Sequence, residues 1–275
     1  MNLKQCSKWS VDTSFPQKLP ENWLFGEVSG VAVDKYDQIW IYQRPKTLTE
    51  NEKLLGNPAP SVVCFDTNGS VVYAFQGKSS NVYSWFESEH SICVDNNDHI
   101  WLTGRGNTDG QVLKFDMKGN FLMQIGRSGD RTSNYDTSRL GSPAGIDVDT
   151  VNKEIYVADG YGNKRVIVFS SDTGQFKRLW GAYGNLPIDT PSTPAQPLPL
   201  VQPPVFGKIP QFVLPHSVRF CPADSTVYVS DRQNDRVQVF TREGKFLREF
   251  FIFPEVGGHG TISDLVFSKN EKERK

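Results

Sequence analysis

The chain has 275 residues, a formal net charge of −1 at pH 7, 37% hydrophobic residues and 22% charged residues. This length suits one large domain or a repeat array with a substantial core. A balance so close to neutral provides no global field for nucleic acid or an anionic membrane. No apolar run approaches the roughly 20 residues of a membrane-spanning helix. We therefore predict neither nucleic-acid binding nor a membrane span.

The N-terminal stretch MNLKQCSKWSVD lacks the apolar core of a signal peptide. This leaves two compartments open: secreted or periplasmic if an export signal has been removed, and cytoplasmic otherwise. The cysteines are far apart and form no C-x-x-C pair, which argues against a zinc ribbon or a redox motif. We predict buried thiols at the three cysteines that lie in apolar, strand-like runs, namely Cys64, Cys93 and Cys221.

A two-part repeat runs along the chain, and each part reads as strand, Asp/Asn/Gly turn and strand. The first part, as in HSICVDNNDHIWLTGR, recurs at 29–44, 90–105, 144–160 and 216–232. The second part, as in QVLKFDMKGNFLMQI, recurs at 61–75, 111–125, 165–180 and 236–250. Together the parts make a four-stranded unit of about 50 residues, which is typical of a β-propeller blade. The sequence therefore predicts an all-β fold, a β-propeller, with no helical periodicity.

Two insertions interrupt the repeat, one at 45–60 and a Pro-rich one at 185–210. We expect the second to cross the surface as an extended loop. Because the repeat resumes after it, we predict one propeller domain over 1–275. A fifth unit begins at SDLVFSKNEKERK and stops after its first strand. We therefore expect an incomplete last blade in a shortened chain, with the N-terminal segment around Trp9, Phe15 and Trp23 supplying strands to it.

Two sets of repeated residues read as structural. Asp34, Asp95 and Asp149 end first strands, and we expect them to form turns by accepting backbone N–H bonds. Trp40 and Trp101 occupy equivalent strand positions and are predicted to be core between blades. We expect His99 to be exposed in its turn, and His259 to lie in a loop.

Equivalent blade positions lie at equivalent heights around a propeller channel, so the repeat predicts which side chains meet. The position before each first strand reads Ser29, His90, Ala144, His216 and Ser263. The second strands end at Arg44, Arg105, Gly160 and Arg232, with Tyr161 directly after Gly160. If the first strands line the channel, both imidazoles point to one axial region, with the arginines and Tyr161 at the same mouth. A purely structural repeat needs none of these residues.

These residue types suit metal-assisted chemistry on an acidic substrate. Two neutral imidazoles can form part of a catalytic zinc site with three protein ligands. Arginines recognise carboxylates, and a tyrosine near a metal and arginines can have a lowered pKa and act as a base. The alternatives are structural: the histidines as turn residues, Tyr161 packed over the mouth, and Arg44 and Arg232 in salt bridges to Asp159 or Asp231.

From about residue 26 to residue 250 the chain resembles the NHL-type six-bladed propellers and, among them, the peptidyl-α-hydroxyglycine α-amidating lyases. The segments that carry the resemblance are VSGVAVD followed by YQR, EHSICVD, YVADGYGNKRVIVFS, LPHSVRF and VYVSDRQNDRVQVF. The resemblance implies a lyase that splits a carbinolamide into a primary amide and glyoxylate. It implies zinc on His90 and His216, Tyr161 as base, Arg44 and Arg232 on the substrate, and calcium held partly by the backbone of Val31 and Ile92.

The chain also departs from the family pattern. The family's third zinc histidine comes from a last blade that this chain lacks, and His259 stands four positions too early to replace it. Gly162 and Tyr228 stand where the family has cysteines, the arginine loop RGDH is RPKT, and Arg105 replaces an apolar residue. These departures leave room for a small-molecule substrate in place of a peptide-derived one.

The alternative function is a non-catalytic NHL propeller that serves as a protein-interaction scaffold, since a fold does not dictate a function. A calcium-dependent, lactonase-like propeller ranks last, because the axial positions supply histidine and arginine instead of carboxylates. We expect a monomer in either case.

Overall fold

The computed structural model describes residues 10–17, 19–189, 211–256 and 259–268. Within these ranges the strands are β1 (Trp23–Leu24), β2 (Glu27–Val33), β3 (Ile39–Arg44), β4 (Asn57–Pro58), β5 (Val62–Phe65), β6 (Val71–Phe75), β7 (Glu89–Val94), β8 (His99–Gly104), β9 (Gln111–Asp116), β10 (Phe121–Gly126), β11 (Gly145–Asp149), β12 (Glu154–Asp159), β13 (Arg165–Ser170), β14 (Phe176–Trp180), β15 (Pro215–Cys221), β16 (Thr226–Asp231), β17 (Arg236–Thr241) and β18 (Phe246–Phe251). One short α-helix, α1 (Glu50–Lys53), and 3₁₀ turns at Pro20–Asn22, Pro45–Thr47, Ala182–Gly184 and Arg232–Asn234 complete the elements.

Sixteen of these strands form four antiparallel sheets of four strands each, in the orders β2-β3-β5-β6, β7-β8-β9-β10, β11-β12-β13-β14 and β15-β16-β17-β18. Each sheet corresponds to one predicted repeat, so the prediction of an all-β propeller fold built from such blades is confirmed. Six blades, and one domain over 1–275, stay predictions.

The turn aspartates explain why each repeat folds back on itself. Asp34 Oδ1 accepts from the backbone N–H groups of Tyr36 and Gln38, at 2.8 and 2.9 Å. Its other oxygen accepts from the indole of Trp40 at 2.9 Å. Asp95 repeats this arrangement with Trp101 at 2.8 Å. One carboxylate thus closes the turn and fixes the indole of a core residue.

Apolar clusters fill the spaces between consecutive sheets. Trp40 packs with residues of the second sheet such as Ile92 and Phe115. Trp101 packs in the same way with the third sheet, and Tyr156 with the fourth. Both tryptophans have no exposed surface, so the prediction that they are core between blades is confirmed.

The inner strands β2, β7, β11 and β15 face a common channel. Residues from all four, together with Ser263 and Asp264, line a cavity of about 320 Å³. The expectation that first strands line the channel is therefore confirmed, and it determines which side chains can meet there.

The N-terminal segment adds to the first sheet. β1 pairs in parallel with β4, and Phe15 and Trp23 pack against the buried Val63 and Phe65. The prediction that this segment supplies strands to the last blade is wrong for Phe15 and Trp23, because Trp23 pairs with the insertion strand β4 and Phe15 packs on Phe65 of the first sheet. Trp9 lies outside the described residues.

The one short helix, α1, lies in the insertion at 45–60 and was not predicted, although it agrees with the absence of helical periodicity. Thr49 and Glu52 form a capping box, with the Thr49 N–H donating to Glu52 Oε2 at 2.7 Å and the Glu52 N–H donating to Thr49 Oγ1 at 3.3 Å. The sequence TENE contained this signal. A four-residue helix is too short to show an apolar period.

The described C-terminal residues, 263–268, form no strand, which corrects the prediction of a fifth first strand. Within the described residues no later strand follows to pair with them. Instead the carbonyls of Ser263 and Leu265 accept bonds from His216 and Arg219.

Several smaller predictions have mixed outcomes. Cys64 and Cys221 are buried and Cys93 is partly buried, all as free thiols, whereas Cys6 and most of the insertion at 185–210 lie outside the described residues. His99 is half-buried instead of exposed, because its Nδ1 lies 3.2 Å from Asp95 Oδ2.

None of the helical segments in the described ranges has the length and apolar character needed to cross a membrane.

Arg165→Met tests the buried ion pair that closes the third sheet. Arg165 Nε lies 2.9 Å from Asp159 Oδ2, and both side chains are fully buried. We expect the variant to lose about 3–5 kcal/mol of unfolding free energy, because the charge of Asp159 stays buried without its partner. Urea unfolding followed by tryptophan fluorescence measures this loss.

The double variant Asp159→Asn/Arg165→Met removes the stranded charge and should recover part of the loss. Lys35→Met at an exposed surface pair is the control and should leave the midpoint unchanged. A single Arg165→Met variant as stable as the parent would contradict the argument.

Candidate functional site

Both channel histidines sit at β-bulges. In the second sheet Glu89 pairs with Gly104 and Ser91 with Thr103, so the ladder slips at His90. In the fourth sheet Pro215 and Ser217 pair with consecutive residues of β16, so the ladder slips at His216. A bulge re-aims the side chain of the extra residue. Both imidazoles thereby leave the regular alternation and line the channel cavity.

Tyr161 joins the two histidines. Its hydroxyl oxygen lies 2.7 Å from His90 Nε2 and 3.0 Å from His216 Nε2. The two imidazole ring centroids are 5.1 Å apart. The structure therefore brings together three side chains that are far apart in the sequence, as the repeat alignment predicts. Their chemical roles stay predictions.

The bonds around this cluster determine where the protons lie. His216 Nδ1 is 2.7 Å from the carbonyl oxygen of Ser263, which can only accept, so this nitrogen carries the proton. His216 Nε2 is then an acceptor and takes the single proton of the Tyr161 hydroxyl. His90 Nε2 must in turn donate to the phenol oxygen. This leaves His90 Nδ1 as a buried lone pair with no partner among the described residues.

Both imidazoles are neutral at physiological pH. Burial lowers the pKa of His90 to about 3, with His216, Arg44 and Arg105 adding to the effect. Burial also lowers the pKa of His216, while its bond to Ser263 opposes the change. A neutral imidazole is the form that ligates a metal ion.

The pKa of the Tyr161 phenol is raised, whereas the sequence led us to expect a lowered value. Burial raises the pKa of Tyr161, and Arg105, Arg232 and Arg44 oppose this without reversing it. The arginines alone therefore do not produce the lowered pKa that a tyrosine base needs. A further positive charge in the pocket, such as a metal ion, would act in the required direction.

Arg44 is tied to the scaffold. Its Nε donates to the carbonyl of Glu89 at 2.7 Å, directly before His90, and its Nη1 lies 2.8 Å from Glu27 Oε2. The alternative of a salt bridge to Asp159 or Asp231 is wrong, because those carboxylates pair with arginines of their own sheets.

Arg105 and Arg232 remain without an acidic partner within the described ranges. The guanidinium carbon of Arg105 lies 5.9 Å from the centroid of the Tyr161 ring. Arg232 Nε is buried and has no hydrogen-bond partner among the described residues. The mouth of the channel therefore carries uncompensated positive charge.

The donor set fits a zinc site in part. His90 and His216 offer two imidazoles, and the bond from His216 Nδ1 to a carbonyl is the usual support for a ligating histidine. The described residues contain no group of three or more His, Cys, Asp or Glu side chains that could hold a metal ion. For His90 Nε2 to become a ligand, its proton must move to Nδ1, whose lone pair is unused.

Val31 and Ile92, the residues predicted to hold calcium through their backbone, lie on the neighbouring inner strands β2 and β7 and line the channel. The strands approach closely here. A Cβ atom on Gly30 would lie 3.2 Å from the carbonyl oxygen of His90. Calcium at this place stays a prediction.

Sequence reasoning placed Ser263 in the repeat alignment but gave it no role. Its carbonyl fixes the tautomer of His216. The signal for this was its position, equivalent to the histidines of the second and fourth repeats.

Comparison with known proteins agrees with this fold. A family model described as NHL repeat matches residues 140–169, which include β11, β12 and the Tyr161 turn. A gluconolactonase from Xanthomonas campestris superposes with a TM-score of 0.54 at 14% identity, over 88% of this chain and 66% of that one. At this identity the likeness shows the fold alone. The chain thus has a propeller fold, and residues 140–169 match the NHL repeat.

The curated relatives narrow the resemblance. The chain is 28% identical over 240 residues to peptidylglycine alpha-amidating monooxygenase of Rattus norvegicus, covering 82% of this chain and 22% of the relative. It is 26% identical over 260 residues to peptidyl-alpha-hydroxyglycine alpha-amidating lyase 1 of Drosophila melanogaster, covering 90% and 42%. It is 27% identical over 240 residues to NHL repeat-containing protein 3 of Mus musculus, covering 85% and 56%. The chain therefore resembles amidating lyases and spans between about a fifth and just over half of these relatives.

The lowered pKa of His90 predicts a pH dependence of stability for protein freed of metal with a chelator. In the unfolded chain His90 is protonated below its ordinary pKa of 6.5, whereas in the folded protein it stays neutral until about pH 3. Stability therefore falls as the pH falls through this window. Between pH 6.5 and about pH 5 the loss from this group is roughly 2 kcal/mol.

Thermal unfolding at about pH 7.5 and about pH 5 measures the effect. The parent should lose more stability than His90→Gln, which shares every other titrating group. Equal losses in both proteins would show that His90 accepts a proton in the folded state.

Proposed function

We propose that the chain is a metal-dependent lyase of the peptidyl-α-hydroxyglycine α-amidating type, which cleaves a carbinolamide into an amide and glyoxylate. The observation that carries the proposal is the phenol oxygen of Tyr161, which lies within hydrogen-bond distance of two neutral imidazoles. The names of the relatives in the rat and the fly support this type of reaction.

His90 and His216 would hold zinc in this proposal. When bound, zinc attracts a substrate oxygen as a Lewis acid and lowers the pKa of nearby hydroxyl groups. We retain a structural calcium near the backbone of Val31 and Ile92 as part of the same proposal.

Tyr161 is the proposed general base. Its oxygen lies between the Nε2 atoms of the two histidines that line the channel cavity. As phenolate it takes the proton of the carbinolamide hydroxyl, whose oxygen then forms the aldehyde of glyoxylate as the carbon–nitrogen bond breaks. The amide nitrogen leaves with the electron pair and receives the proton back. Positive charge from Arg105, Arg232 and a bound cation favours the phenolate form.

Arg232 and Arg44 would act on the carboxylate. Arg232 is the better placed of the two, since its Nε is buried and unpartnered among the described residues. A guanidinium in that state gains a charge-assisted bond when a carboxylate arrives. Arg44 already donates to the Glu89 carbonyl and Glu27, so in this proposal it also fixes the strand that carries His90.

Zinc content of the purified protein tests the metal site. We expect close to one zinc per chain in the parent and its loss in His216→Ala, because that change removes one of the two imidazoles. Metal analysis after gel filtration measures it. His259→Ala, in an exposed loop, is the matched control and should keep its zinc. Parent protein that is folded and free of zinc after incubation with the metal would contradict this part of the proposal.

Glyoxylate release from N-benzoyl-α-hydroxyglycine tests the base. We expect Tyr161→Phe to lower kcat by about 10²-fold or more, because the ring stays but the proton acceptor is lost. The exposed Tyr36 provides the control variant Tyr36→Phe, which should match the parent. Equal rates for Tyr161→Phe and the parent would remove Tyr161 from the mechanism.

A second candidate function is a non-catalytic scaffold that binds another protein. The similarity to NHL repeat-containing protein 3 favours it, as does the absence of a third ligand within the described residues. A folded, zinc-free chain that releases no glyoxylate would favour this candidate over the lyase.

A further inference from the structure

Resting on the proposed function, we propose that Arg105 makes the pocket selective for a doubly charged substrate. Beside the α-hydroxy carboxylate, such a substrate carries a second acidic group on the part that leaves as the amide. Arg105 is then a specificity-determining residue that binds the second group.

The position of Arg105 is fixed by the fold. It follows β8, at the place where Arg44 ends β3 and Arg232 follows β16, so the three belong to the same mouth. Its backbone N–H donates to the carbonyl of Ser88 at 2.8 Å, two residues before His90. Its side chain is exposed, and the guanidinium reaches to 5.9 Å from the Tyr161 ring centroid. The group therefore lies beside the reacting centre, where it interacts with Tyr161 and is still accessible to a ligand.

The charges at the mouth do not balance. Arg44 is paired with Glu27, which leaves Arg105 and Arg232 with no acidic partner in the described part of the chain. Elsewhere in these sheets the chain pairs such groups, as it does for Arg165 and Arg236. Two uncompensated guanidinium groups beside one half-buried phenol favour a ligand with two negative charges over one.

Electrostatics places Arg105 close to the whole cluster. It lowers the pKa of both imidazoles and opposes the raised pKa of Tyr161. A substrate with one carboxylate, bound by Arg232, would leave the charge of Arg105 without a partner. An acidic group on the leaving portion provides the second partner, through a bidentate bond of the kind that arginine forms with carboxylates.

Isothermal titration calorimetry with malate and 2-hydroxybutyrate tests the inference without turnover. Both probes carry the α-hydroxy carboxylate, and they differ by a carboxylate in place of a methyl group. We expect malate to bind the parent at least about tenfold more tightly. In Arg105→Gln the ratio of the two affinities should fall towards one.

Arg127→Gln is the matched control, since Arg127 is exposed just after β10, the outermost strand of the same sheet. It removes the same charge away from the channel and should keep the malate preference. Arg232→Gln should weaken both probes.

The outcomes separate this inference from the lyase proposal. Equal binding of the two probes, or an equal effect of Arg105→Gln and Arg127→Gln, overturns the role of Arg105, while glyoxylate release would still support the lyase. A malate preference that depends on Arg105 in a protein that releases no glyoxylate supports the doubly charged ligand and contradicts the lyase.

Discussion

The packing of inner strands around one channel is the constraint on which the site depends. Trp40 and Trp101, each fixed by a turn aspartate, fill the spaces between consecutive sheets. With the sheets so spaced, β7 and β15 line the same channel, although about 120 residues separate them in the chain. A bulge in each strand then turns a histidine into the cavity. Removal of a packing residue would therefore disturb the site as well as the core.

The hydrogen bonds around the Tyr161 oxygen show how the scaffold determines which nitrogen of each histidine carries a proton. The carbonyl of Ser263 orients His216, and the single proton of Tyr161 forces the opposite role on His90. This order leaves one buried nitrogen of His90 unused. A polar atom left so in a water-excluded place costs stability that a purely structural cluster could avoid. In the proposed function, this unused nitrogen is the place to which the Nε2 proton of His90 would move if Nε2 held a metal ion.

Much of this arrangement could be predicted from the sequence, because the repeat converts spacing into position. The strand pairs, the turn aspartates, the core tryptophans and the meeting of His90, His216 and Tyr161 all follow from aligned repeats. What the repeat does not encode was missed: the helix α1, whose signal is a local cap, and the N-terminal segment, whose strand β1 pairs with β4 of an insertion that has no repeat equivalent. The raised pKa of Tyr161 was missed too, since burial depends on how closely the strands pack.

The distribution of arginines distinguishes scaffold from site. Arg165 and Arg236 occupy equivalent places at the start of third strands, and each is buried against the aspartate that ends the neighbouring second strand. A charge taken out of water needs such a partner, or its desolvation cost is not offset. Arg105 and Arg232 each lie directly after a second strand, where no carboxylate among the described residues pairs with them. In the fourth repeat, Arg236 thus has a carboxylate partner and Arg232, a few positions earlier, has none among the described residues. The two arginines without a partner, Arg105 and Arg232, lie near the imidazoles. An exposed arginine can be hydrated by water without a carboxylate partner. The positions of the three mouth arginines point to a site because all three influence the pKa of Tyr161.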